Sequence, residues 1–129
     1  MSQHIGALAL LVRDYDEALA YYQNVLGFEV LEDTSQGDGK RWVVVAPAGA
    51  ATRLLLAQAA TEEQIQQIGN QAGSRVFLFL HTTDFAADYA TMRARGVQFL
   101  EEPRHESYGS VVVFQDLYGN KWDLLGPRP

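Results

Sequence analysis

Three histidines, His4, His81 and His105, and the scattered carboxylates are the side chains from which a metal centre or an acid–base pair would have to be assembled. The histidines do not fall into a recognisable ligand set, and each reads as a surface or hydrogen-bonded residue. Cysteine is absent, which excludes thiolate zinc sites, disulfides and cysteine nucleophiles. Gly37-Asp38-Gly39 precedes a strand-like run instead of a helix, so it lacks the helix N-terminus of a phosphate cradle. Ser2, Ser35, Ser74, Ser107 and Ser110 have no elbow context, and Glu101-Glu102 lies beside Pro103, where solvated loop residues are common. What remains suits the holding of an organic molecule: Phe77, Phe79 and His81 share one face of a strand-like run by period-2 alternation, and Arg53, Leu55 and Ala57 share a face of another.

Those residues must be positioned by elements, and the periodicity supplies them twice. Residues 5–12 form an apolar strand, Asp14 reads as a helix N-cap with Glu17 as its capping-box partner, and Ala18, Leu19, Tyr22, Val25 and Leu26 recur at helical spacing up to Gly27. Strands follow at 28–32, 41–46 and 53–58. The second half repeats the order: a strand over 76–81, a helix from the cap Asp84 to Arg95, then strands at 97–100, 108–114 and 121–125. A period near half the chain length points to duplication of one βαβββ unit. This gives an α+β fold in a single domain over 1–129, with one module at 5–58, an inserted helix at 61–70 capped by Thr61, and a second module at 75–126. Gly37-Asp38-Gly39 is expected at a hairpin tip within a mobile segment over 35–40, and Tyr118-Gly119-Asn120 in a tight turn.

Composition narrows the partners. The chain has 129 residues, 47% of them hydrophobic, enough for a real core, and a formal net charge of -6. Lysine and arginine are scattered singly, so nucleic acid would meet a net-negative surface without a basic footprint. No apolar stretch is long enough to span a bilayer and the first residues lack signal-peptide organisation, so a cytoplasmic protein with no nucleic-acid and no membrane partner is expected.

The runs Val12-Arg13-Asp14-Tyr15-Asp16-Glu17-Ala18, Tyr21-Tyr22, Leu26-Gly27-Phe28 and Phe114-Gln115-Asp116-Leu117-Tyr118-Gly119-Asn120-Lys121-Trp122-Asp123-Leu124 resemble the vicinal oxygen chelate superfamily, which includes glyoxalase I, extradiol dioxygenases, fosfomycin-resistance enzymes and bleomycin-resistance proteins. The match covers nearly the whole chain. It departs from the family at Leu117, where proline is usual, and at Asp123, where glutamate is usual. The resemblance implies two βαβββ modules forming an open, curled mixed sheet with a concave site, a tendency to pair as homodimers, and in the metal enzymes a divalent ion held by four strand residues.

Carried over residue by residue, those four positions fall on Ala7, Leu55, Phe77 and Asp123, and only Asp123 can donate an oxygen. His4 is an odd displacement from Ala7 and so turns to the other strand face, His81 lies about 13 Å along the strand from Phe77, and His105 falls in an expected loop. No metal and no other cofactor is therefore implied. Trp42 and Trp122 could stack on a ligand, although tryptophan in a strand is more often core. The expected reading is a small-molecule-binding protein of the glyoxalase/bleomycin-resistance type without the usual metal centre. Its ligand would be apolar or aromatic with an acidic or hydrogen-bonding group, held between the Phe77 face and the Arg53 strand by Arg53, Leu55, Phe77, Phe79, His81 and Trp122. The alternative is a lyase, isomerase or dioxygenase-like enzyme with an atypical metal set or with Asp123, a carboxylate beside apolar neighbours, as general base.

Overall fold

The computed structural model describes residues 1–129 and divides them into two units, Met1–Ile68 and Gly69–Pro129. The first runs β1 (Ala7–Val12), α1 (Tyr15–Ala20), β2 (Glu29–Gly37), β3 (Lys40–Ala46), β4 (Arg53–Gln58) and α2 (Glu62–Gln67). The second runs β5 (Leu78–His81), α3 (Phe85–Ala94), β6 (Gln98–Phe99), β7 (Arg104–Glu106), β8 (Gly109–Gln115) and β9 (Lys121–Gly126). The sheets are ordered β1-β4-β3-β2 and β5-β9-β8-β6, with β7 alongside β8. In each unit the first strand pairs parallel with the last, and the other pairings are antiparallel. The α+β class and the repeated βαβββ order expected from the sequence are therefore present, in two open mixed sheets.

Register makes the duplication specific. Ala9 pairs with Leu55 and Leu55 with Val44, while Phe79 pairs with Asp123 and Asp123 with Val113. Leu55 and Asp123 thus occupy equivalent positions in the two units. Alternation sends Leu10, Val12, Val43, Val45, Leu54 and Leu56 to one side of the first sheet, where they are buried with Ala18 and Tyr22 of the helical segment. In the second unit Val112, Phe114, Trp122 and Leu124 are buried with Phe85 and Met92 of α3. Each buried valine, leucine, phenylalanine or methionine among them contributes about 1.5–3 kcal/mol of burial free energy, so these two faces fix which strand faces are left open.

The helix starts follow their caps. Asp14 accepts from Glu17 N at 2.8 Å, Thr61 from Gln64 N at 3.1 Å and Asp84 from Ala87 N at 3.1 Å. The helix expected to run to Leu26 changes character instead: after Ala20 the chain widens into a π turn, Tyr21–Val25, where Leu26 N donates to Tyr21 O five residues back. The inserted helix is shorter than 61–70, because Ile68 leaves the helical region at ψ 124° before Gly69 turns the chain at φ +75°, and its Ile65 is half exposed.

The strand expected at 28–32 is nearly twice as long. Register shifts between Val30 and Glu32 and between Ser35 and Gly37 let a polar edge strand keep pairing to Gly37, so 35–37 is strand and only Asp38-Gly39 forms the tip. Both tip residues have positive φ, 54° and 78°, as a two-residue type I′ connection requires. A further strand, β7, replaces the loop expected around His105. β6 stops early because Glu101 Oε2 accepts the Val113 N–H at 2.9 Å in place of a strand carbonyl, and Pro103 has no N–H to offer; pairing resumes at Arg104 opposite Val111. Glu101 is therefore a sheet-edge anchor and not the solvated loop residue its neighbourhood suggested.

Candidate functional site

The open face of the first sheet carries Ala7, Ala9 and Leu11 of β1, Arg53, Leu55 and Ala57 of β4, and Trp42 and Val44 of β3. A cavity of about 380 Å³ lies on it, with Ala7, Val44 and Leu55 as apolar lining and His4, Glu32, Trp42 and Arg53 as its aromatic and polar groups. The bulge in β2 creates part of this wall. Without the extra residue Leu31 would stand opposite Val44; with it, Glu32 does, so its carboxylate reaches the open side. There Glu32 Oε2 accepts a 2.9 Å hydrogen bond from Trp42 Nε1 and holds an indole that remains 41% exposed. None of the five ion pairs involves Arg53, which is exposed at the start of β4.

A second depression, about 290 Å³, shares Trp42 and Leu55 and continues past Leu11 and Ala57 to Tyr15 and Arg41. Arg41 fastens the hairpin to the first turn of α1: Nη1 lies 2.9 Å from Asp16 and Nη2 2.8 Å from Asp33, the guanidinium carbon is 5.1 Å from the Tyr15 ring centroid, and the backbone N–H donates to the Tyr15 hydroxyl at 3.2 Å. The hydrogen bond from Arg41 holds the Asp33 carboxyl below its usual range. Arg41 thereby braces the wall that bears Trp42.

The open face of the second sheet carries Phe77, Phe79 and His81 along one edge. Phe79 is 58% exposed and paired with Asp123; His81 is exposed and paired with Leu125; Phe77 is partly buried, its N–H donating to Lys121 O at 2.8 Å. Asp123 is partly buried and its Oδ1 has no hydrogen-bond partner. Burial pushes its carboxyl above the usual range, with the Arg104 cation opposing and the Glu101 charge reinforcing the rise. Lys121 donates to Ser74 O at 3.4 Å, and Arg104 is engaged by both oxygens of Glu101 at 3.0 and 3.2 Å.

The two tryptophans, weighed alike from the sequence, take opposite places. Trp122, expected beside the ligand, is 3% exposed: it stacks on Phe114 at 5.6 Å and donates to Asp116 Oδ2 at 3.3 Å, so its ring is taken up by the core. Trp42, weighed in the same terms but not placed in the site, is the exposed one. The available signal was the alternation itself, since Val43 and Val45 inside require Trp42 outside.

The four family ligand positions do not suit a metal ion. Ala7, Leu55 and Phe77 offer only carbon, and no group of three or more His, Cys, Asp or Glu side chains comes together to hold one. His105 is bound through Nδ1 to Ser110 Oγ at 2.6 Å, His4 lines the first-unit cavity and His81 stands on β5.

The chain matches the model of the Glyoxalase/Bleomycin resistance protein/Dioxygenase superfamily over residues 4–124. An uncharacterized protein from Shewanella frigidimarina is 54% identical over 127 residues, covering 97% of this chain and 94% of its own. The uncharacterized protein YetH of Bacillus subtilis is 31% identical, covering 93% of this chain and 95% of its own. The crystal structure of TnmS3, an antibiotic binding protein from Streptomyces sp. CB03234, superimposes with a TM-score of 0.80 at 32% identity, covering 98% of this chain and 97% of its own. With the open-faced βαβββ repeat and the motif residues in place, this chain belongs to the Glyoxalase/Bleomycin resistance protein/Dioxygenase superfamily.

Proposed function

We propose that the protein binds a small aromatic or apolar organic molecule bearing an acidic or hydrogen-bonding group, and does so without a metal centre. The observation that carries this reading is the first-unit cavity, where an exposed indole pinned by Glu32 stands over an apolar lining and beside an Arg53 that makes no ion pair. An apolar cavity with a few directed polar groups is the usual form of a small-molecule site. Arg53 supplies the charge that an acidic group needs when it leaves water. Phe77, Phe79 and His81 give the second sheet an open face of its own that carries aromatic side chains. The likeness to an antibiotic-binding protein supports a ligand of this kind, and carbon-only side chains at three of four family ligand positions support independence from metal.

The binding assay has a built-in reporter. Trp42 is exposed and Trp122 is not, so titration with anilinonaphthalene sulfonate, an aromatic anion, should quench tryptophan emission saturably; emission indifferent to the probe, with no probe enhancement, counts against the site. We further propose a cytoplasmic homodimer, on the cysteine-free acidic composition and the open sheets. Light scattering at micromolar concentration should give twice the chain mass, and a monomer mass contradicts it. A second reading rests on Asp123: a carboxyl raised by burial on an open face can take a proton from a bound molecule, as a lyase or isomerase base does.

A further inference from the structure

We propose that Asp123 Oδ1 is the acceptor for a hydrogen-bond donor carried by an aromatic ligand whose ring lies on Phe79. The inference rests on the reading of the open faces as ligand-binding surfaces and adds the chemical class that the second sheet selects: a ring bearing O–H or N–H, such as a phenol, an aryl amine or a heteroaromatic N–H.

Three observations meet at this point. Asp123 Oδ1 is buried and has no partner, a condition that costs free energy until a donor arrives. Register sets Phe79 directly opposite Asp123, and its ring is 58% exposed, so an apolar platform adjoins the orphaned oxygen. The donors that might have satisfied Asp123 are committed elsewhere: Lys121 to Ser74 O, and Arg104 Nε to both oxygens of Glu101. The Val113 N–H, on the residue paired with Asp123 across β8 and β9, is taken by Glu101 Oε2. The strands around Asp123 thus leave one buried acceptor without a donor, on the residue that pairs with the exposed Phe79, so that a ligand ring must displace its cover to reach it.

The sign of the local charge selects among ligands. Asp123 and Glu101 are acidic and the one cation beside them, Arg104, is paired to Glu101. A carboxylate or sulfonate placed on Phe79 would face repulsion, whereas a neutral or cationic donor would not. Discrimination of this type, in which a buried polar group is left unsatisfied by the wrong ligand, is stronger than a packing difference can provide.

The test uses a matched pair of probes, β-naphthol and its methyl ether, which share a ring system and differ in the donor. Affinities are measured by calorimetry or by amide shifts in labelled protein, on the parent, Asp123→Ala and Asp123→Asn. The expected result is a preference for β-naphthol of about tenfold or more in the parent, lost in Asp123→Ala and reduced in Asp123→Asn, whose amide oxygen still accepts, with shifts at Phe79 and Val113. Equal affinity for the two probes in the parent, or a preference that persists in Asp123→Ala, overturns the role of Asp123 and leaves the ligand-binding reading intact. Binding of neither probe overturns both. Asp123→Asn keeps the shape of the site, so loss of folding in Asp123→Ala does not remove the comparison.

Discussion

Trp42 Nε1 donates to Glu32 Oε2 at 2.9 Å across the β2–β3 pair, and that bond exists because a bulge between Val30 and Glu32 turns the carboxylate to the same face as the indole. Removing the ring should remove the site's largest packing surface. Trp42→Phe should weaken aromatic ligands modestly, and Trp42→Ala by roughly tenfold to a hundredfold, the loss expected for a contact worth about 1.5–3 kcal/mol. Glu32→Gln keeps an acceptor and should change affinity little; Glu32→Ala frees the indole and should cost affinity while leaving stability nearly unchanged, because the pair is exposed. Fluorescence anisotropy of tryptophan emission in Glu32→Ala, which retains Trp42, checks the release.

Arg53→Ala should weaken acidic ligands more than neutral analogues of the same shape, and the difference should shrink as salt is raised, because Arg53 is exposed. Leu55→Ala, in the apolar lining of the same cavity, should weaken both kinds equally through lost contact area. A ligand bound as tightly by both variants as by the parent would place the site elsewhere.

The stability of Asp123→Asn should depend on pH in a defined direction. Burial raises the Asp123 carboxyl above its ordinary 3.8 in the folded chain. Between the ordinary value and the raised one the native state holds a proton that the unfolded chain releases, so the stability of the parent falls as pH rises through that window. Asparagine carries no charge to desolvate. The variant should therefore melt higher than the parent near pH 7, and the gain should disappear below the ordinary carboxylate range. A variant less stable than the parent at neutral pH would mean that Asp123 gains more from its surroundings than burial costs it.

Asp116 is 4% exposed and its carboxylate accepts from Tyr118 N and Asn120 N at 3.0 Å each, Asn120 Nδ2 at 2.9 Å and Trp122 Nε1 at 3.3 Å. It nucleates the turn that delivers Asp123, with Gly119 at φ +96°. Asp116→Ala should cost about 3 kcal/mol, since several buried donors lose their acceptor at once, and thermal unfolding measures it. A loss within a few tenths of a kcal/mol would show that water replaces the carboxylate.

Much of the fold was legible because it is written in short-range signals: Asp14, Thr61 and Asp84 cap the helices they were expected to cap, and strand alternation divides each sheet correctly. What escaped was decided by interactions with no local signature. The bulge that turns Glu32 outward, the π turn after Ala20, the use of the Glu101 side chain as a strand acceptor and the pairing of β7 all depend on a partner strand or on a deformation of the ladder. The open-face members Arg53, Leu55, Phe77, Phe79 and His81 were legible from period-2 alternation, and Asp123 from the family resemblance. Trp122 was placed at the site and Trp42 left out of it because residue type outweighed alternation, although Val43 and Val45 already required Trp42 to point away from the core.

The most direct measurement is ligand titration of protein dialysed against a strong chelator, with elemental analysis of the same sample. Protein free of zinc, nickel, iron and manganese should bind anilinonaphthalene sulfonate saturably, with unchanged affinity when any of these ions is restored and with loss of affinity in Trp42→Ala and Arg53→Ala. About one ion per chain that resists the chelator, or binding that appears only after an ion is returned, would contradict a metal-independent site built on Trp42 and Arg53.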